Sequence, residues 1–344
     1  MRVTKKILVV KINMLGDMVT FLPALNSIKK GMPDAEITLL TTSVGAELVR
    51  LTGLVDNIWV ASPSEMRSIL GFIKWWRQIA DKKFDIAISS YDSPSLTGLS
   101  LYLSSIPVRI GYNCAKLAKA YNKLVHFSRR MHMVDLNLSS IKELGLPALK
   151  DRLSINISEA DKEIIDKMLI EAGINKGELI IGMHPGSHTA PRWMADRFSG
   201  LAHELITNYS ARIICVGSYE EKPIMDDINS KIKTKIIDFT GRTTISQLVY
   251  LISKMSILIG HSSGPLHLAY FIGTPTVSLW GVSLPENWGP YWDKERHACL
   301  ISKLDCLGCD RGKCPRGTLE CMSSISVEKV LDNTLRGLGR KKIF

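Results

Sequence analysis

The chain of 344 residues contains no uninterrupted apolar run of the roughly 18 residues that a membrane-spanning helix needs. The first apolar run, Ile7–Val10, is broken by Lys11. It is too short for a signal-peptide core, so a cytoplasmic location is expected. No internal repeat and no low-complexity tract is visible, which argues against solenoids and linker-like chains. Cysteine is sparse at seven residues, so a disulfide framework is not expected in a reducing compartment. Acidic residues are in deficit: Asp and Glu number 33 against 44 Lys and Arg, leaving a net charge of +11. That surplus favours an anionic partner such as nucleotide phosphates or an acidic membrane surface. It is dispersed and not interleaved with aromatics in one patch, so a nucleic-acid partner is not expected. With 45% hydrophobic and 22% charged residues, the chain is neither disordered nor collagen-like.

Short apolar runs alternate with helical patterns. Lys6–Ile12, Ala35–Thr41, Phe84–Ser90 and Val108–Tyr112 read as strands, and Met18, Phe21, Leu22, Leu25 and Ile28 fall at helical spacing. The rhythm restarts near residue 150, where Ser158-Glu159-Ala160-Asp161 resembles a helix-starting capping box. Further strands are predicted at Leu179–His184, Ala211–Gly217, Lys235–Phe239, Ile257–Gly260 and Pro275–Leu279. Helices are predicted near 194–207, 221–231, 244–254, 264–272 and 327–338. The fold class is therefore α/β with mostly parallel sheets, in two domains, 1–160 and 161–344. A final helix at about 325–338 is a candidate to pack back on the first domain. Ligands in such folds sit at the carboxyl ends of strands, and a cleft between two facing halves is the expected active site.

Several loops carry polar groups at such strand ends. Lys11-Ile12-Asn13-Met14-Leu15-Gly16-Asp17 follows the first strand. Gly16 suits a tight turn, and Asp17 sits at or near the helix N-cap, either as a cap or as a general base. The segment lacks G-x-G-x-x-G, which weakens a dinucleotide-dehydrogenase reading. His184-Pro185-Gly186-Ser187-His188-Thr189-Ala190-Pro191-Arg192-Trp193 is an ordinary connecting loop or an anion site with donors from Ser187, Thr189 and Arg192. In Gly260-His261-Ser262-Ser263-Gly264-Pro265-Leu266-His267, the serines are good N-caps and Pro265 suits the start of a helix. The backbone N–H groups of Ser263 and Gly264 can face a pyrophosphate, with His267 donating one turn later; the bland alternative is a capped buried helix with a core histidine. Thr243 or Thr244 caps another helix beside a potential base-binding wall.

Cys306, Cys309, Cys314 and Cys321 crowd one segment. Their spacing fits no standard zinc pattern, and a structural zinc, a disulfide and free thiols all remain open. At the carboxyl end, Arg336, Arg340, Lys341 and Lys342 precede Ile343-Phe344, either as a solvated tail or as a weak contact with anionic lipid.

Taken together these segments resemble glycosyltransferase family 9, the heptosyltransferases. The resemblance rests on Lys11, Gly16-Asp17, Leu22-Pro23-Ala24-Leu25, Arg109-Ile110-Gly111-Tyr112, His184-Pro185-Gly186 and Arg192-Trp193. It also rests on Gly241-Arg242-Thr243-Thr244, the Ser263-Gly264-Pro265-Leu266-His267-Leu268-Ala269 run, Gly273-Thr274-Pro275-Thr276 and the four-cysteine loop. It extends from about residue 6 to 335.

The resemblance implies a GT-B fold of two Rossmann-like domains, the first binding acceptor and the second binding nucleotide-sugar. It implies inverting, metal-independent transfer of a sugar, commonly heptose from ADP-heptose, onto a lipid-linked lipopolysaccharide core, beside the inner face of an anionic inner membrane. Asp17 would be the catalytic base, with Lys11, Asn13 and Gly16 on the acceptor side. Gly186, Ser187, Arg192, Thr243, Thr244, Ser262, Ser263, Gly264 and His267 would bind the donor. Glu221 would contact its ribose, though Glu220 fits nearly as well. Three positions depart from the family pattern. Ser262 replaces an aspartate, Pro191-Arg192 displaces a lysine by one position, and Asn13 stands where Ser or Thr is common. The first two motivate an alternative reading as a weak transferase, a binder without transfer, or a transferase of a different sugar.

Overall fold

The computed structural model describes residues 4–187, 191–234, 236–309, 314 and 316–340. The chain forms two compact units, Met1–Asn156 and Ile157–Phe344.

In the first unit the strands are β1 (Lys6–Lys11), β2 (Glu36–Thr41), β3 (Asn57–Val60), β4 (Ile86–Ser89), β5 (Val108–Tyr112) and β6 (Lys123–Val125). They lie in the order β3-β2-β1-β4-β5-β6, and every neighbouring pair is parallel. β1 owes its central place to the run Ile7-Leu8-Val9-Val10, buried on both faces as helices cover both sides of a parallel sheet. Leu8 and Val10 pack with Trp75, Ile79 and Leu101 in one core cluster.

The second unit repeats the plan. Its strands are β7 (Ile180–His184), β8 (Arg212–Cys215), β9 (Ile237–Asp238), β10 (Ile257–His261), β11 (Thr276–Trp280) and β12 (His297–Ile301). Their order is β12-β11-β10-β7-β8-β9, again parallel throughout. The core gathers Ile181, Phe198, Leu201, Ile259 and Val277 with Val330 and Leu335. Those last two belong to the helix Val327–Gly337, which packs on the helix Ala195–Tyr209 and on β10, β11 and β12 of its own unit.

In each unit the second and third strands step one way from the first, and the next three step the other way. The reversal falls between β1 and β4 in one unit and between β7 and β10 in the other. At such a reversal the loops leave the sheet in opposite directions and open a crevice beyond the carboxyl ends of the strands.

Three strands have no clear sequence signal, namely β3, β6 and β12. All three are edge strands. β3 is half-buried to exposed along its whole length, and β6 has only three residues. An edge strand needs one partner and one covered face, so its apolar pattern is weak. The predicted strand 235–239 is reduced to the edge strand Ile237–Asp238, and Lys235 lies outside the described residues.

Candidate active site

At the β1/β4 reversal, Lys11 is the last residue of β1, and its side chain is fully buried. Its ammonium lies 3.7 Å from Asp17 Oδ1 and 3.7 Å from Asp92 Oδ1. It also sits 5.6 Å from the centre of the Tyr91 ring. No sequence motif points to Asp92. It lies three residues beyond β4, far from Lys11 along the chain, and only the pairing of β1 with β4 brings it there. Asn13 Nδ2 donates to Asp92 Oδ2, which fixes the second carboxylate. Thr41 Oγ1 donates to the Lys11 carbonyl at 2.7 Å, and Thr42 Oγ1 to the Asn13 carbonyl at 2.9 Å.

Two local expectations need correction. The helix Leu15–Gly31 begins one turn earlier than a cap at Asp17 requires: its N-cap is Met14, with no side-chain cap, and Asp17 is its third residue. Gly16 lies inside that first turn and is not among the positive-φ glycines, so it makes no left-handed turn. Asp17 is therefore not the N-cap. Burial raises its pKa above the usual carboxylate value; the Lys11 charge opposes that rise and the Asp92 charge adds to it. A carboxylate at the sheet mouth with raised proton affinity is suited to accept a proton.

At the β7/β10 reversal, β7 ends at His184 and β10 at His261, with His184 opposite Gly260. His261 Nε2 accepts the Trp193 backbone N–H at 2.7 Å, so its other nitrogen, Nδ1, carries the proton and donates to the Gly186 carbonyl at 3.2 Å. Burial and the neighbouring His184 depress the His261 pKa to about 3, so the ring is neutral at pH 7. One histidine thus ties together both ends of the loop containing Gly186 and Ser187. The sequence motif alone assigns His261 no role. Arg192 binds the same loop, its Nε and Nη2 donating to the Ser187 carbonyl at 3.2 and 3.0 Å. Thr189 lies outside the described residues.

Glu221 turns toward this loop. Its Oε2 accepts the Ser218 N–H at 2.8 Å, and its Oε1 lies 3.8 Å from His184 Nε2. A Cβ at Gly186 would fall 1.6 Å from Glu221 Oε1, so only glycine allows this approach.

The helix Gly264–Ile272 starts beside this loop. Ser263 is its N-cap by position, but Ser263 Oγ donates back to the His261 carbonyl at 2.9 Å and caps nothing. Neither serine caps this helix, contrary to expectation, and its first N–H groups are left for another acceptor. Pro265 is the second helical residue, where a missing N–H costs nothing. His267 follows one turn in, buried and edge-on to Tyr270 and Trp288 at 5.7 and 5.8 Å. Ser262 lines a recess with Ser187, Pro191, His261, Gly281 and Ser283.

The model of one family, Glycosyltransferase family 9 (heptosyltransferase), matches residues 72–319, well over half of the chain. The chain belongs to glycosyltransferase family 9. It is a glycosyltransferase, as that family is. Among curated relatives, the lipopolysaccharide core heptosyltransferase OpsX of Haemophilus influenzae is 22% identical over 294 residues, covering 83% of this chain and 82% of OpsX. Among solved structures, a glycosyl transferase family 9 protein from Veillonella parvula superposes with a TM-score of 0.86 at 23% identity, covering 98% of both chains. E. coli ADP-heptose lps heptosyltransferase II gives a TM-score of 0.77 at 20% identity over 97% of this chain and 98% of the other. The fold is GT-B.

The family match begins after the Lys11–Asp17 segment, so that segment stands on its geometry. Elsewhere in this family member, Thr244 is the residue that caps: its Oγ1 accepts the Gln247 N–H at 3.2 Å while Gln247 Oε1 accepts the Thr244 N–H at 3.1 Å. Thr243 precedes it in the loop. Cys306, Cys309, Cys314 and Cys321 are free thiols, half-buried. Burial raises the Cys321 pKa, and the nearby Cys314, Cys306 and Cys309 add to the rise. Among the described residues no group of three or more His, Cys, Asp or Glu is arranged to hold a metal ion, so the structural-zinc expectation finds no support. No helix among the described residues is long and apolar enough to cross a membrane. Of the basic tail, Arg340 Nη1 donates to the Tyr209 carbonyl at 3.4 Å, and Lys341 to Phe344 lie outside the described residues.

Proposed function

We propose that the protein transfers a heptose from ADP-heptose to a saccharide of the lipopolysaccharide core, with inversion at the anomeric carbon, and that Asp17 is the base. The observation that carries this reading is the Lys11–Asp17–Asp92 cluster, a carboxylate of raised proton affinity held at the sheet mouth by a buried ammonium. Asp17 takes the proton of the acceptor hydroxyl as that oxygen attacks the anomeric carbon and the bond to the diphosphate breaks. Lys11, Asn13 and Gly16 shape the acceptor side.

Negative charge then grows on the departing diphosphate. The open N-terminus of the helix Gly264–Ile272, with Ser263, Gly264 and His267, is suited to stabilise such a charge. Ser187 lines the recess with Ser262, Arg192 braces the Ser187 carbonyl, Glu221 takes the ribose, and Thr243 and Thr244 wall the base. These groups supply the stabilisation from the chain's own donors, so turnover is expected to persist in a chelator. The family membership, the lipopolysaccharide core heptosyltransferase OpsX and the E. coli ADP-heptose lps heptosyltransferase II support the choice of substrates. A lipid-linked acceptor places the enzyme at the cytoplasmic face of an anionic inner membrane.

Release of ADP from ADP-heptose in the presence of a heptose-deficient core acceptor tests the reading. Asp17→Ala is expected to remove nearly all acceptor-dependent release, and unchanged turnover would reject the role. Ser262 favours a second reading. It offers a hydroxyl where a carboxylate is usual, beside Ser187 in the recess, so a binder that holds the nucleotide-sugar without transfer is the alternative. Calorimetry with ADP-, GDP- and UDP-sugars showing tight binding, and no product with any acceptor, selects it.

A further inference from the structure

The helix Ile69–Lys82 has an unusual outer face. Its inner face is ordinary: Trp75 and Ile79 are buried in the core of the first unit, next to Gly71. An amphipathic helix packed on a sheet normally turns polar residues outward. Here Ile69 is 75% exposed and Leu70 is 82% exposed, the two most exposed large aliphatic side chains among the described residues. Ile73 and Trp76 follow on the same outward side, both only half-buried. The neighbouring helix Ser95–Leu103 packs against this one and adds Tyr102 and Leu103, 54% and 44% exposed. Four exposed large apolar side chains thus fall on two helices packed against each other, more than the single scattered residues of an ordinary surface.

The charges around the patch are mostly of one sign. Residues 67–83 hold five basic residues against one acidic. Lys74 pairs with Glu65 at 2.6 Å, while Arg67 and Arg77 are exposed and make no ion pair among the described residues. The Arg109 guanidinium lies 5.4 Å from the centre of the Tyr102 ring. Exposed aliphatics, a Trp and a Tyr at the margin, and a cationic surround are what a segment lying in the headgroup region of an anionic bilayer presents. A protein partner for so apolar a patch would not require the basic excess, whereas anionic lipid complements both features at once.

We infer that the Ile69–Lys82 helix, with Tyr102 and Leu103, is the surface by which this protein docks on anionic lipid. Ile69 and Leu70 enter the acyl boundary, and Arg67 and Arg77 meet the headgroups. This deepens the membrane-facing part of the proposed function and moves it from the basic carboxyl-terminal tail to the first unit.

Sedimentation of the full chain with vesicles of mixed phosphatidylglycerol and phosphatidylethanolamine, and with vesicles of phosphatidylcholine, tests it. The wild type is expected to bind the anionic vesicles. Ile69→Ser/Leu70→Ser is expected to lower that binding about tenfold or more at unchanged Tm, since both side chains are exposed and outside the core. Arg67→Gln/Arg77→Gln is expected to remove most of the preference for anionic over zwitterionic vesicles. Binding of the serine variant equal to wild type overturns the inference. So does a wild type that ignores vesicles and forms a dimer in solution that the serine variant cannot form. The assay involves no sugar transfer, so its outcome is independent of whether ADP-heptose is the donor.

Discussion

The Lys11 ammonium stands 3.7 Å from Asp17 Oδ1, and no water-exposed surface remains on the lysine side chain. Asp92 lies at the same distance from that ammonium. One buried cation therefore serves two carboxylates. Asp17 feels burial and Asp92 pushing its pKa up and Lys11 pulling it down, with a net rise. Asp92, fixed by Asn13, is thereby a device that adjusts how strongly Asp17 holds a proton.

Asp92→Asn removes the like charge while keeping the hydrogen bond to Asn13. The Asp17 pKa is expected to fall toward the ordinary carboxylate value. A base works only when deprotonated, so the acidic limb of the kcat/KM profile should move to lower pH. A limb that stays in place, or moves up, removes Asp92 from this role.

Asp17→Asn should separate chemistry from stability. A carboxyl group whose pKa is raised on folding favours the protonated form in the native state. Its effect on stability is therefore least unfavourable at low pH and worsens as pH rises through the folded pKa. A neutral amide of the same shape escapes that cost. Turnover should drop about 10²–10⁴-fold, while Tm at pH 7 should hold or rise by a few degrees. A large fall in Tm would mean that the Lys11 pair outweighs burial.

His261 gives the opposite pH signature. Its pKa falls from 6.5 in the unfolded chain to about 3 when folded. The unfolded chain binds the extra proton across that interval, so the stability His261 contributes is complete above about pH 6.5 and is lost as pH drops toward 3. His261→Gln keeps a donor and an acceptor for Gly186 and Trp193 without titrating. It should lose less Tm than wild type between pH 7 and pH 4, as followed by thermal melts; equal slopes would contradict the assigned neutral form.

Gly186→Ala should be costly only while Glu221 is present. The added Cβ would meet Glu221 Oε1 at 1.6 Å, and overpacking of this kind costs about 1–3 kcal/mol. In the Glu221→Ala background the clash is gone, so the same substitution should cost much less. ADP affinity should fall in Gly186→Ala as the carboxylate is displaced from its place beside the loop. Additive effects in the double variant would show that the two residues do not interact.

Central features are legible in the sequence because they are local and buried. The run Ile7-Leu8-Val9-Val10 specifies a strand covered on both faces, and the predicted helix 264–272 coincides with the observed one, since apolar spacing, Pro265 and Gly273 bound it at both ends. Asp17 and the loops of Gly186, Ser263 and His267 are legible because each follows a predicted strand. Edge strands escape because one-sided burial leaves little apolar pattern. The Ser263 hydroxyl turns away from the cap it is expected to make, because sequence gives its place but not the direction of its hydrogen bond.

The sequence by itself determined the central strands and helices and the parallel α/β class, which follow from short-range periodicity, and its motifs carried the resemblance to the family. Tertiary structure alone decided that Asp92 joins Lys11 and Asp17, and that His261 binds both ends of the Gly186 loop. Those contacts follow from which strands become neighbours where the sheet order reverses. Strand order is set by the packing of whole helices and sheets, so no local pattern encodes it.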